Sequence, residues 1–245
     1  MIFYVLLLNL VHANSIQAFH NARIQKAKAR EMFDHAFDSY ARHGFPADEI
    51  KPISCKPRIR MNPNLNNNDY REFILGNFSL TLVDSLDSLV VFNRTDDFIY
   101  YSNYLIENLN FDSDLYVSVF ETNIRILGGL ISAHVLATDL DLIPGYEDGL
   151  LHKAEELAQK LSSAFITNTG LPTPYVNLRK NNESPTHTQQ ISTAEVGSLS
   201  LEFMTLSYLT GDNTYANLVT KAMSVLTSKL TTDHLAGTMI NLNTL

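Results

Sequence analysis

The sequence contains no tryptophan, one cysteine and only 18% charged residues. The single thiol, Cys55, cannot form a disulfide within the chain, so a disulfide-stapled scaffold is excluded. The 18 Lys and Arg residues are outnumbered by 26 Asp and Glu residues, giving a net charge of −8. Nucleic-acid binding needs clustered basic residues, and the basic run at residues 23–30 fits the solvated face of a helix. We therefore expect no nucleic-acid partner.

Signatures of several common enzyme classes are also absent. The chain has no glycine-rich phosphate loop, no His-Glu-x-x-His helix and no Gly-x-Ser-x-Gly elbow. Its eight histidines are scattered without the spacing of metal ligands. The absence of these enzyme signatures disfavours phosphate-loop, zinc-peptidase and serine-hydrolase chemistry. Separately, the sequence carries no Lys-Asp-Glu-Leu type retention signal.

The N-terminal residues have the pattern of a secretory signal. The apolar run from Ile2 to Val11 is too short to span a bilayer but fits the hydrophobic part of a signal peptide. Val11 and Ala13 occupy the −3 and −1 positions of a cleavage site. We therefore predict a signal peptide at 1–13 and a folded domain at 14–245, with a buried N-terminal helix as the alternative.

Three Asn-x-Ser/Thr sequons occur, at Asn77, Asn93 and Asn182. A single sequon is weak support for glycosylation, because such triplets arise often by chance. Together with a signal peptide, the three predict a glycosylated protein of the secretory pathway.

Helical periodicity dominates the chain. Apolar residues recurring at steps of three and four predict seven helices, at about 27–40, 78–92, 96–109, 114–137, 146–165, 192–209 and 214–229. Two polar stretches, 44–71 and 167–190, are predicted to be long loops. No competing β pattern is present, so the predicted fold class is all-α.

The predicted helices alternate in character. Those at 78–92, 114–137 and 192–209 are apolar almost all round, whereas the helices that follow them have one polar face. Alternating buried and half-exposed helices are expected in an α/α toroid, in which an outer ring of helices surrounds an inner ring. A plain helical bundle or a helical repeat array would need similar packing.

Each inner helix carries a narrow polar stripe. Buried carboxylates are costly unless they are paired, so one interpretation is local pairing, such as Glu121 with Arg125 one turn later. The other is a carboxylate-lined pocket, which suits glycoside hydrolysis or a metal site with oxygen ligands. We expect Gly128 and Gly129 to leave open space there. The acidic residues concerned are Asp84, Asp87, Glu121, Glu195 and Glu202.

Three long segments carry a family resemblance. Residues 76–89 (GNFSLTLVDSLDSL), 118–133 (SVFETNIRILGGLISA) and 192–212 (STAEVGSLSLEFMTLSYLTGD) resemble glycoside hydrolase family 47, the class I α-1,2-mannosidases. Residues 45–49 and 55–60 are similar to its EDEM branch, the ER degradation-enhancing α-mannosidase-like proteins.

The resemblance implies an (α/α)7 barrel and calcium-dependent hydrolysis with inversion at the anomeric carbon. It implies removal of α-1,2-linked mannose from high-mannose N-glycans of misfolded glycoproteins in the endoplasmic reticulum (ER) lumen, as part of ER-associated degradation. Glu121 matches the family's proton donor, while Arg125 and Glu195 match substrate-binding positions. Asp84, Asp87 and Glu202 are further candidates for the pocket lining.

The resemblance also implies that only part of the barrel is present. Seven helices are about half of the fourteen that such a barrel requires, and the last helices are expected to leave an apolar edge open. The family's other catalytic carboxylates and its calcium-holding threonine correspond to positions beyond Leu245, so we expect no metal ligands in this chain and little hydrolysis by it alone. The alternatives are a non-catalytic glycan-binding or delivery factor of ER quality control, or an inactive fragment. Cys55 is expected to pair with a cysteine of the missing half or with a luminal protein disulfide oxidoreductase.

Overall fold

The computed structural model describes the backbone of residues 2–60, 73–180, 190–230 and 235–242, with side chains from residue 18 onward. The helices in this part are α1 Ile2–His43, α2 Leu80–Val91, α3 Thr95–Asn108, α4 Val119–Glu121, α5 Gly128–Asp139, α6 Gly149–Leu161, α7 Thr193–Thr210 and α8 Thr214–Thr227. A π-helical turn, Thr122–Leu127, joins α4 to α5, and a 3₁₀ turn, Ser162–Phe165, extends α6. We refer to α4, the π-helical turn and α5 together as the central helix. All seven predicted helices are present, and the first of them is the end of the longer α1.

Three short antiparallel strand pairs lie between the helices. They join β1 Glu49–Lys51 to β2 Lys56–Arg58, β3 Tyr116–Ser118 to β4 Tyr175–Asn177, and β5 Gln190–Ser192 to β6 Met239–Asn241. The sequence predicted none of these strands, because a three-residue strand is too short to show an alternating pattern. Strands β3 and β5 lead directly into the central helix and α7, and so fix where those helices begin.

The helices pack in two layers that agree with the predicted alternation. Helix α2 packs against α5 and α5 contacts α7, while α3 contacts α6 and α8 contacts the 3₁₀ turn after α6. The core between the layers is apolar and includes the fully buried Phe78, Leu86, Phe98, Leu127 and Phe203. Burial of this apolar surface is the main favourable contribution to the stability of the fold.

The start of α2 is capped from a distance. Asp48, which is 1% exposed, accepts hydrogen bonds from the backbone N–H groups of Asn77 (2.7 Å), Phe78 (2.7 Å) and Leu80 (3.0 Å). Burial raises the pKa of the Asp48 carboxyl, although these three bonds oppose the shift. The 45–49 segment, which carries part of the family resemblance, therefore also satisfies the unpaired donors at a helix N-terminus.

A glycine allows α5 to approach α2 closely. A Cβ atom at Gly129 would lie 2.8 Å from Val83 Cγ1 and 2.9 Å from the Val83 carbonyl oxygen. The expectation that this glycine leaves open space is therefore wrong, because the space is filled by α2. At Gly128 a Cβ would make ordinary contacts, 3.6 Å from Cγ and Oε1 of Glu202.

Helix α7 has an exposed apolar stripe. Leu201, Met204 and Tyr208 are 72%, 45% and 87% exposed, and their spacing places them on one face. This stripe agrees with the open apolar edge expected from the sequence. Among the described helices, none has both the length and the apolar character needed to cross a bilayer.

Candidate active site

Three of the predicted site residues meet between α2 and the central helix. Glu121 lies in the first turn after β3, where its backbone N–H donates to Ser118 Oγ at 3.2 Å. Arg125 Nε donates to Glu121 Oε2 at 2.6 Å, and Arg125 Nη1 donates to Asp84 Oδ2 at 3.1 Å. The acid cluster, defined here as Glu121, Arg125 and Asp84, thus joins two inner helices.

The acid cluster is open to solvent on one side. The side chains of Glu121, Arg125 and Asp84 are 25%, 40% and 36% exposed. Partial burial raises the pKa of Asp84, against the lowering effect of the Arg125 guanidinium, and the two carboxylates raise the pKa of Arg125. Glu121 Oε2 bonds to Arg125, whereas Oε1 has no hydrogen-bond partner among the described residues. One carboxylate oxygen therefore remains available to a solute.

The π-helical turn after Glu121 places the side chain of Asn123 in the protein interior, towards α7. Asn123, which is fully buried, donates from Nδ2 to Glu202 Oε2 of α7 at 2.6 Å. Within the described part of the chain, the buried atoms Asn123 Oδ1 and Thr122 Oγ1 have no partner. π-Helical turns are rare in proteins, but those that do occur are often found at functional sites. The turn brings Glu202, which is 9% exposed, into contact with the helix that carries Glu121.

Two predicted residues are held outside the acid cluster. Glu195 forms a capping box at the start of α7, where its Oε2 accepts from the Ser192 backbone N–H at 2.9 Å. Asp87 is exposed and accepts from Ser88 Oγ at 3.1 Å. Their assignments to substrate binding and to the pocket lining remain predictions.

Sequence reasoning missed Asn123 as a member of this region. It lies two residues from Glu121, off the stripe defined by steps of three and four, and its partner is 79 residues away. The only signal was a polar residue outside the polar stripe of a largely apolar helix, which does not identify a partner.

The described residues do not form a metal site by themselves. No group of three or more His, Cys, Asp or Glu side chains among them is placed to hold a metal ion. These carboxylates therefore do not fit a calcium ion on their own, and calcium dependence remains an expectation from the resemblance.

The asparagine side chains of the two sequons within the described residues are accessible to solvent. Asn77 and Asn93 are exposed and both have left-handed backbone conformations, with φ of 60° and 62°. Asn182 lies outside the described residues. Glycosylation at all three positions remains a prediction.

The family profile of Glycosyl hydrolase family 47 matches residues 32–245. The chain belongs to this family. Among curated relatives, it is 42% identical over 229 residues to ER degradation-enhancing alpha-mannosidase-like protein 3 of Xenopus laevis, covering 89% of this chain and 25% of that protein. It is 39% identical over 227 residues to Alpha-mannosidase I MNS4 of Arabidopsis thaliana, covering 91% of this chain and 34% of the relative. The predicted resemblance to the EDEM branch of the family is confirmed.

A solved structure defines the fold. The alpha-1,2-mannosidase from Trichoderma reesei superposes with a TM-score of 0.70 at 28% identity, covering 89% of this chain and 44% of that one. That enzyme is an α/α barrel, so the prediction of an all-α (α/α)7 architecture is confirmed. The chain spans about a quarter to a third of the two curated relatives above and less than half of the solved enzyme.

Proposed function

We propose that this chain provides the proton-donor region of an α-1,2-mannosidase site that trims high-mannose N-glycans. The observation that carries the proposal is the acid cluster, in which Glu121 is held by Arg125 beside Asp84 with one oxygen free for a ligand. Membership of family 47 and similarity to mannosidases support the same chemistry.

Glu121 is proposed to protonate the leaving glycosidic oxygen. In an inverting glycosidase a second carboxylate activates water on the opposite face of the sugar, with the two carboxyl groups roughly 6.5–9.5 Å apart. Arg125 would orient Glu121 and donate to sugar hydroxyls, and Asp84 would hold Arg125 in place. Glu195 is proposed to bind substrate and Glu202 to line the pocket, and calcium dependence is proposed from the family resemblance alone.

The proposed setting is the ER lumen, where the substrates would be misfolded glycoproteins marked for degradation. The names of relatives in the EDEM branch include ER degradation. The predicted signal peptide at 1–13 and the exposed sequons at Asn77 and Asn93 support the same setting.

Cys55 is proposed to make a mixed disulfide with a luminal oxidoreductase or with a cysteine outside this chain. It is an exposed free thiol in the turn between β1 and β2, and the neighbouring Ile53 is fully exposed. Non-reducing electrophoresis of the parent and of Cys55→Ser tests this role. Identical migration of the two proteins from cells would contradict it.

The second candidate is a glycan-binding factor without turnover. It is favoured by the exposure of the acid cluster, since the Arg125 side chain is 40% exposed and a guanidinium can bind sugar hydroxyls without hydrolysis. We propose that these residues by themselves hydrolyse glycans weakly or not at all, because the resemblance assigns the second catalytic carboxylate to none of them.

Mannose release and glycan binding by the whole chain separate these functions. Both are measured with a high-mannose N-glycan in the presence of calcium, for the parent, Glu121→Gln and Arg125→Ala. Release that disappears in Glu121→Gln supports catalysis by this chain. Binding without release, weakened by Arg125→Ala, supports the binding factor, and absence of both supports an inactive fragment.

A further inference from the structure

A groove of about 380 Å³ lies beside the first sequon, and none of its lining residues belongs to the acid cluster. It is formed by the segment after α1, the β1–β2 hairpin, the approach to α2 and the end of α3. Its volume falls within the range of about 300–1,000 Å³ found for small-molecule sites. The residues that matter here are Phe45, Pro57, Ile59, Asn77, Tyr104 and Leu109.

Asn77 is fixed at the edge of this groove. Its backbone N–H donates to Oδ2 of the buried Asp48 at 2.7 Å, and Phe78, which follows it, is fully buried. Asn is one of the few residue types that tolerates its left-handed conformation. The backbone is therefore anchored, while the Asn77 side chain is exposed and borders the groove.

The groove walls are apolar and partly exposed. Ile59 is 59% exposed, and the half-buried rings of Phe45 and Tyr104 meet edge to face with centroids 4.7 Å apart. Exposed apolar surface of this kind is unfavourable in water unless something covers it. A pyranose ring suits such walls, because its C–H face packs on aromatic rings while its hydroxyl and amide groups remain in water.

We propose that an N-linked glycan on Asn77 packs its first N-acetylglucosamine into this groove and shields Ile59 and Tyr104. The inference rests on the luminal setting proposed above, since N-glycans are attached there. Asn93 differs in the charge of its surroundings: the groove of about 370 Å³ that it borders combines the apolar Ala27, Val91 and Phe92 with the basic side chains Arg23, Lys26 and Arg30 of α1. A sugar ring packed there would have to desolvate those charged groups, which is costly. We expect a glycan on Asn93 to extend into solvent.

The test uses the whole chain, secreted behind a strong leader peptide from human cells in which a mannosidase inhibitor keeps glycans in high-mannose form. Glycopeptide mass spectrometry should find Asn77 occupied. Under native conditions, an amidase that cuts the Asn–sugar bond should release the Asn93 glycan several-fold faster than the Asn77 glycan. Denaturation should remove the difference.

Hydroxyl-radical footprinting reports the packing directly. Oxidation of Ile59 and Tyr104 should rise several-fold in Asn77→Gln and stay at the parent level in the matched control Asn93→Gln. Protein trimmed enzymatically to one N-acetylglucosamine per site should remain protected, which gives a readout independent of whether Asn77→Gln folds.

Two outcomes would overturn the inference. One is an occupied Asn77 with unprotected Ile59 and Tyr104, and the other is an unoccupied Asn77 in protein that is glycosylated at Asn93. A parallel arm with the chain's own residues 1–13 tests the luminal setting separately. Glycosylation with the added leader but not with the native N-terminus would count against the proposed location and leave the groove assignment standing.

Discussion

Asn123 of the central helix donates a 2.6 Å hydrogen bond to Glu202 of α7, across 79 residues of sequence. Both side chains are buried, and the bond links the helix that carries Glu121 to the next inner helix. An unpaired buried carboxylate is strongly unfavourable. The pair therefore fixes how two inner helices meet beside the proposed active site.

Asn123→Ala should destabilise the protein by about 1–3 kcal/mol, because it leaves a buried Glu202 oxygen without its donor. The free energy of unfolding, measured by urea titration, checks this value. The control is Asn103→Ala on the exposed side of α3, which makes the same gain in helix propensity and should change stability by less than about 0.5 kcal/mol. Equal effects of the two substitutions would contradict the proposed importance of the Asn123–Glu202 bond.

Two glycine substitutions should act in opposite directions. Gly129→Ala should cost about 1–3 kcal/mol, because its methyl group would meet Val83 backbone and side-chain atoms at less than 3 Å. Gly197→Ala in α7 should stabilise by about 0.5–1 kcal/mol through helix propensity, since its nearest contact, Leu226 Cδ2, is at 4.0 Å. Thermal unfolding of both variants checks the signs. Stabilisation by Gly129→Ala would show that the α2–α5 contact is looser than described.

His134 should make stability depend on pH. It is 6% exposed, with Nδ1 3.0 Å from the Tyr146 hydroxyl, and burial lowers its pKa although Asp148 opposes the shift. Below its unfolded value of about 6.5 the unfolded chain therefore binds the proton more readily than the folded one. The free energy of unfolding should fall as the pH drops through 6.5, and this contribution should level off below the folded pKa.

The variant His134→Gln removes this titration while keeping a polar group near Tyr146. Its loss of stability between pH 7.5 and pH 5, followed by urea unfolding, should be smaller than that of the parent. His35→Gln, which replaces an exposed histidine of α1, serves as the control. If His134→Gln shows the same pH dependence as the parent, burial of a neutral His134 is not its cause.

Arg94 holds α1 against α3. Its guanidinium contacts Asp34 (3.2 Å), Asp38 (2.8 Å) and Asp97 (2.6 Å) and lies 4.9 Å from the Phe37 ring centroid. Arg94→Ala should cost about 1–2 kcal/mol after allowance for solvent screening of the partly exposed carboxylates. Arg30→Ala, which removes an exposed 3.5 Å pair with Asp34, should cost less than about 1 kcal/mol. A larger loss for Arg30→Ala would contradict the assignment of Arg94 as the main link.

The features that the sequence predicted are local or periodic. The helices follow from apolar spacing, and the Glu121–Arg125 contact follows from a separation of four residues on one helix. The features missed depend on contacts distant in sequence. Asp48 caps the start of α2 from 29–32 residues away, and the bond from Asn123 reaches another helix. The role of Gly129 also required the structure, because a sequence does not show which backbone approaches a glycine.

The most direct test of Glu121 as proton donor is mannose release by a complete barrel. Residues 32–245 of this chain would replace the matched segment of the Xenopus laevis ER degradation-enhancing alpha-mannosidase-like protein 3, to which the chain is 42% identical. We expect the chimera to release mannose from a high-mannose N-glycan, and Glu121→Gln to lower the rate by about 10²–10⁴-fold with glycan binding retained. A Glu121→Gln chimera that releases mannose at the parent rate would contradict the assignment.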